Sequence, residues 1–220
     1  MALALFDLDN TLLAGDSDYG WGQFLISINA VDGEEYERAN QKFYDDYKAG
    51  MLDIHEFARF AFKPLEDHSM QQLQSWRRQY LDEVVRPMMT SKGQQKIDWH
   101  KSRQDVVVII TATNSFITRP IADAFGVDHL IATEPLQENE RFIAEIHGIP
   151  CYQEGKVTRL NNWLKTRSNL KLDNSWFYSD SHNDQPLLEK VTNPIAVDPD
   201  DELRELALQR GWEIQSFRDD

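Results

Sequence analysis

Short apolar runs bounded by polar residues alternate with stretches of helical periodicity along this chain. Ala2-Leu3-Ala4-Leu5-Phe6 ends at Asp7-Leu8-Asp9-Asn10-Thr11, the pattern of a buried strand closing in a polar turn. From about residue 16 to about residue 85 the apolar positions recur at helical spacing instead. Trp21, Phe24, Leu25 and Ile28 form one set, and Phe43, Tyr44 and Tyr47 a second. Ile54, Phe57 and Ala58 start a third behind Asp53, a capping residue, and Leu73, Trp76, Tyr80 and Val84 mark a fourth. No strand is expected in this block.

The pattern changes again at Val106. Val106-Val107-Val108-Ile109-Ile110 is a β-branched run, the strongest strand signal in the chain. A helix follows, with Pro120 early and Gly126 as its stop. Then come a short strand at His129–Ala132, a hairpin and turn over Pro135–Pro150, and a helix marked by Val157, Leu160, Trp163 and Leu164. Trp176–Tyr178 and Ile195–Val197 read as two further buried strands. Strands alternating with helices imply an α/β fold with a doubly wound, Rossmann-like parallel sheet. The helical block interrupts that core after its first strand. The expected division is a core of residues 1–15 and 86–220 with an all-helical cap at 16–85. Gly and Pro at Ala14-Gly15 and Arg86-Pro87 mark the expected hinges.

Polar residues gather where these elements end. Asp7 and Asp9 stand two positions apart at the end of the first strand, and ligands of open α/β sheets bind at strand carboxyl ends. Two close carboxylates repel, so a cation, a proton shuttle or both would compensate them; the alternative is a turn in which Asp7, Asp9 and Asn10 cap backbone groups. Thr111-Ala112-Thr113-Asn114 follows the Val106 run, where hydroxyls and N–H groups can hold phosphate oxygens or simply cap a helix. Lys156, after Gly155, falls near a helix start and opposes its dipole unless an anion lies nearby; otherwise it is a solvated surface lysine. Asp180 and Asp184, in Ser179-Asp180-Ser181-His182-Asn183-Asp184, offer hard oxygen ligands that suit Mg²⁺, while Asp184 can also cap a helix before Pro186. His182 has no partner at metal-ligand spacing and reads as structural.

Together and in this order, these residues resemble the haloacid dehalogenase superfamily of phosphohydrolases. Asp-x-Asp-x-Thr at the first strand, Thr after the second, a lone Lys and then Asp-x-x-x-Asp carry the resemblance. The helical block between the first two motifs, the Cys151-x-x-x-Gly155-Lys156 segment and the tail from Pro194 to Asp200 resemble the phosphoserine-phosphatase-like branch. The resemblance implies Asp7 as the nucleophile that becomes an aspartyl phosphate, and Asp9 as the general acid and base. It implies Mg²⁺ held by Asp7, the backbone carbonyl of Asp9 and Asp180, with Asp184 supporting the site. Thr111, Ala112, Lys156 and Asn183 would bind the phosphoryl group. This division suits phosphoryl transfer, which depends on positioning and charge neutralisation.

Composition narrows the partners. The chain has 220 residues, 41% hydrophobic and 27% charged, an ordinary balance for one large domain or a domain with an insert. A formal net charge of −14 disfavours nucleic acid and anionic lipid. It also disfavours anionic substrates unless a local cation such as Lys156 overrides it. No apolar stretch is long enough to span a bilayer, and the first strand is too short and too acidic at its end for a signal peptide. The single cysteine, Cys151, cannot form an intrachain disulfide, so the cytoplasm is the expected compartment. The expected partner is a small phosphorylated metabolite.

The substrate is the least determined point. Phosphoserine is the default implied by the branch, whose members read substrate with an acidic residue after the first motif and an arginine on the cap. Asp16 occupies the acidic position, but the arginine position falls on Ala61, and Arg59 lies on another helix face. Asp16 and Asp18 still favour a substrate ammonium. An amine-bearing phosphomonoester without a carboxylate, such as histidinol phosphate or an amino-alcohol phosphate, therefore competes with phosphoserine. A phosphomutase and, from another class, a non-catalytic phosphate-binding or receiver-like module are the remaining alternatives.

Overall fold

The computed structural model describes residues 2–167 and 169–218. Its centre is a sheet of six parallel strands: β1 (Leu3–Phe6), β2 (Val106–Asn114), β3 (His129–Thr133), β6 (Ser175–Ser179), β7 (Asn193–Val197) and β8 (Glu213–Gln215). They lie in the order β3-β2-β1-β6-β7-β8. The order turns back on itself at β1, which has β2 on one side and β6 on the other. Such a switch point opens a crevice at the strand carboxyl ends.

Side chains alternate across the sheet, as strand geometry requires. Ala4 and Phe6 pack with Val107, Ile109 and Tyr178 on one face, while Leu3 and Leu5 pack with Val108, Ile110 and Phe177 on the other. The first face is covered by α6 (Ser91–Ser102), through Ile97, and by α7 (Ser115–Ala124), through Phe116, Ile117 and Ile121. The second is covered by α8 (Glu154–Lys165), α9 (Gln185–Leu188) and α10 (Asp201–Arg210).

Between β1 and β2 the chain runs through α1 (Ser17–Ser27), α2 (Gly33–Lys48), α3 (Ile54–Asp67), α4 (Met70–Tyr80) and the short α5 (Arg86–Met88). Asp53 caps α3 through the N–H groups of His55 and Glu56. Trp21, Phe24 and Tyr80 are buried in the core beneath these helices. The segments that leave and re-enter the sheet run side by side: Ala14 N–H donates to the Met88 carbonyl at 2.6 Å, and Thr90 N–H to that of Leu12 at 3.0 Å. The antiparallel hairpin of β4 (Pro135–Glu138) and β5 (Arg141–Ile146) meets α3, where Ala144 N–H donates to Glu66.

Two features depart from the sequence expectations. β2 does not stop at Ile110 but extends to Asn114, so Thr111 and Thr113 lie within the strand, and Asn114 caps α7. The helices α6 and α10 and the edge strand β8 have no counterpart in the apolar pattern. Only Gly93, Ile97 and His100 of α6 and Leu203 and Ala207 of α10 are buried, too few for a clear stripe. No helix among the described residues is long and apolar enough to cross a membrane.

Candidate functional site

The crevice at β1 gathers residues from distant parts of the chain. Asp7 follows β1, anchored by its N–H donating to the Tyr178 carbonyl at 2.9 Å. Asp9 lies in the next turn, with extended backbone at φ −72°, and Asn10 is left-handed at φ 56°. Thr111 and Ala112 face the same cavity from the end of β2. Asp180 follows β6, and its Oδ1 accepts a hydrogen bond from the Thr11 hydroxyl at 3.0 Å.

Lys156 is not a surface lysine. It is 2% exposed, and its Nζ lies 2.7 Å from Asp7 Oδ1 and 2.8 Å from Asp184 Oδ2. Asp184 also accepts from the Ser179 hydroxyl at 2.7 Å, so its side chain is committed to the buried cluster rather than to capping α9. Gly155 permits this placement, because a Cβ there would collide with the Pro150 carbonyl oxygen. Asp9 is held by two donors: Ser17 N–H reaches Oδ1 at 2.6 Å, and the Thr113 hydroxyl reaches Oδ2 at 2.8 Å. A carboxyl fixed this way has a set orientation toward the cavity.

Two carboxylates, Asp7 and Asp184, thus share one buried cation, and Asp180 stands near Asp7 with only the Thr11 hydroxyl bonded to it. Burial raises Asp7 to about 7 against the opposing pull of Lys156, with Asp184 and Asp9 adding repulsion. Burial also raises Asp9 to about 7, helped by Asp16. Burial and the Asp7 carboxylate hold Asp180 well above the usual range. Burial works against the charge of Lys156, but Asp184 and Asp7 overcome it and hold the ammonium firmly protonated.

These shifts carry a stability consequence. Asp7 and Asp9 are raised from 3.8 to about 7, so their protonated forms favour the folded state. That contribution is complete below about pH 4 and is lost as pH rises through about 7. Lys156 stays charged throughout this window and adds no slope. The melting temperature in EDTA is therefore expected to fall between pH 5 and 8. A divalent cation that neutralises the carboxylates should restore more stability at pH 8 than at pH 5. Scanning calorimetry at both pH values, with and without Mg²⁺, checks this; equal restoration at both would contradict it.

Among the described residues no three His, Cys, Asp or Glu side chains converge on one point. The donors on offer are the Asp7 and Asp180 carboxylates, which repel each other. Such a set fits Mg²⁺, which takes one or two carboxylates and retains several waters. The uncompensated charge of Asp180 beside Asp7 is the feature a divalent cation would relieve.

The other sequence candidates fall outside this cluster. Asn183 donates from Nδ2 to the Tyr47 carbonyl at 3.0 Å and accepts from the Tyr152 hydroxyl at 2.9 Å, which ties α2 to the loop after β6. It lines a separate groove beside Gly50 and His182. Asp16 caps α1, its Oδ1 accepting the N–H groups of Asp18 and Tyr19 at 2.8 Å each. His182 is structural, with Nδ1 2.8 Å from Asp200 Oδ2. Cys151 is buried, and burial pushes its thiol up to about 12. Thr11, Thr113 and Ser179 stand inside the motifs of the sequence, but their bonds to Asp180, Asp9 and Asp184 are set by the fold. For Thr113 the signal was there, since alternate strand positions share a face and Thr111 lies two residues away.

The helical block roofs the cavity, which encloses about 50 Å³. Asp16, Asp18, Tyr19, Tyr44, Tyr47 and Phe57 are among its wall residues. No lysine or arginine lines it among the described residues. Arg59 is exposed on α3, and Ala61 is buried in the core.

The model of one family, haloacid dehalogenase-like hydrolase, matches residues 4–189. The chain belongs to the haloacid dehalogenase-like hydrolases. It is an enzyme of that family, not a receiver-like module, and relatives similar to it carry phosphatase names. It is 39% identical over 219 residues to a histidinol-phosphatase of Neisseria meningitidis serogroup C, covering 98% of this chain and 99% of the relative. A crystal structure of a Bordetella pertussis Tohama I protein of unknown function is 44% identical, with TM-score 0.92 and 99% of each chain covered. A phosphoserine phosphatase structure, a phospho-aspartyl intermediate analogue, superposes with TM-score 0.73 at 18% identity, covering 100% of this chain and 94% of the other. At that identity the likeness speaks for the hydrolase fold alone.

Proposed function

We propose that this hydrolase is a Mg²⁺-dependent phosphatase that cleaves a small, amine-bearing phosphomonoester lacking a carboxylate, with histidinol phosphate as the substrate of best fit. The observation that carries this reading is the cavity beside Asp7. Its wall combines carboxylates and aromatic rings and, among the described residues, no arginine or lysine. A substrate carboxylate would meet repulsion there without the bidentate partner it needs. An ammonium or imidazolium would meet attraction from the carboxylates and the ring faces. The 39% identity to a histidinol-phosphatase along nearly the whole chain supports the same choice.

In this mechanism the Asp7 carboxylate attacks phosphorus, and the bond from phosphorus to the ester oxygen breaks. Asp9 donates its proton to the departing alcohol oxygen. A group raised to about 7 can hold that proton near neutral pH and return it readily. Asp9 then takes a proton from the water that attacks the aspartyl phosphate, which frees Asp7 and releases phosphate. Lys156 and the Thr111 hydroxyl hold phosphoryl oxygens, and Thr113 and Ser17 keep Asp9 aimed. Asp7, Asp180 and the Asp9 carbonyl would hold Mg²⁺, with Asp184 behind them, and the ion when bound supplies positive charge against the incoming dianion.

A parallel assay of histidinol phosphate, phosphoserine, phosphoethanolamine and a sugar phosphate tests the reading. The kcat/KM for histidinol phosphate is expected to exceed that for phosphoserine by at least about tenfold, the equivalent of roughly 1.4 kcal/mol in transition-state binding. A preference for phosphoserine would overturn the substrate assignment. Absence of phosphate release from all four would overturn the reaction class.

A further inference from the structure

We infer that Asp18, rather than Asp16, is the residue that holds the cationic group of the substrate. The inference rests on the amine-bearing phosphomonoester proposed above. Both carboxylates line the cavity that contains Asp7. They differ in what already occupies them. Asp16 is the N-cap of α1, and its Oδ1 accepts two backbone N–H groups at 2.8 Å. Its position is set by the helix it starts.

Asp18 stands two residues further in, on the same helix. None of the described residues donates a hydrogen bond to its carboxylate or pairs with it. It is half-buried, and the nearby carboxylates are Asp16 and Asp9. Burial and those two neighbours hold its carboxyl well above the usual range. The N-terminal dipole of α1 favours a negative charge but does not supply a hydrogen-bond partner. A carboxylate in such surroundings costs free energy unless a cation compensates it. With no lysine or arginine on the wall among the described residues, that cation comes from the ligand.

The surrounding rings fit the same occupant. Tyr19 and Tyr44, with ring centroids 5.1 Å apart, and Phe57 line the same cavity as Asp18. Ring faces attract ammonium and imidazolium groups, most strongly where water is excluded. Asp9 and Asp7 lie at the sheet end of this cavity, and Asp18 lies on the helical roof. A small molecule with a phosphate at one end and a cation at the other spans these two features.

The test compares the parent enzyme with Asp18→Asn, Asp18→Glu and Asp16→Asn. The substrates are histidinol phosphate and its analogue lacking the amine. Asp18→Asn is expected to raise KM for histidinol phosphate at least about tenfold, with a smaller change in kcat, and to collapse the preference for the amine by the same factor. Asp18→Glu, which keeps the charge, should recover part of that preference. Since the Asp18 carboxylate has no partner to lose, Asp18→Asn should melt at or above the parent temperature. Asp16→Asn keeps a side-chain oxygen for the two N–H groups of the α1 cap, so it should melt close to the parent and should keep the amine preference. Retention of the preference in Asp18→Asn, or its loss in Asp16→Asn alone, overturns the assignment while leaving the substrate reading intact. A parent enzyme indifferent to the amine overturns both.

Discussion

Asp7→Asn is expected to remove essentially all phosphoester turnover, a loss of at least about a thousandfold in kcat. The amide has the size and shape of the carboxyl but lacks its nucleophilic charge. Its consequences for the fold are small. Lys156 keeps Asp184 at 2.8 Å, and Asp180 loses a repelling neighbour. The backbone anchor from Asp7 N–H to the Tyr178 carbonyl does not depend on the side chain. The melting temperature in EDTA should therefore stay within a few degrees of the parent, on the order of 1 kcal/mol. Circular dichroism and a phosphate-release assay on the same preparation decide the matter. Activity within about tenfold of the parent would remove Asp7 from the nucleophile position.

Lys156→Met is expected to cost both stability and activity. The side chain is 2% exposed and bonds Asp7 and Asp184 at once. Methionine fills much of the same volume but leaves two buried carboxylates facing each other. Breaking a buried ion pair from one side costs about 3–5 kcal/mol. In a domain of this size that corresponds to a drop of roughly 6–20 °C in melting temperature. The deficit should be largest at high pH and narrow as pH falls, because protonation removes the orphaned charges. Activity should fall at least about a hundredfold, since the cation proposed to hold the phosphoryl group is gone. A variant that melts with the parent at pH 8 would show that the cluster does not need its cation.

These two residues also illustrate what a sequence reading can reach. The position of Asp7 is marked by a local signal, an apolar run, an abrupt polar turn and a second carboxylate two positions on, which a capping turn would equally produce. Lys156 was legible only as one member of an ordered set. By itself it reads as a solvated lysine, because its partners lie 149 and 28 residues away along the chain. Asn183 shows the converse. Its place in the motif suggested phosphate, but its amide is taken by the Tyr47 carbonyl and the Tyr152 hydroxyl.

The sequence by itself determined the central strands, the helical block after the first of them, and the order of the chemical motifs. Strand burial and helical periodicity are local patterns, so each is written within a few consecutive residues. Tertiary structure alone decided which carboxylates share Lys156, which acidic residue of α1 is consumed by capping and which stays unpartnered, and which aromatic residues leave the core to line the cavity. Trp21 and Phe24 are core, whereas Tyr19 on the same helix and Tyr44 on α2 line the cavity. Those outcomes depend on contacts between elements far apart in the chain, and no local spacing specifies them.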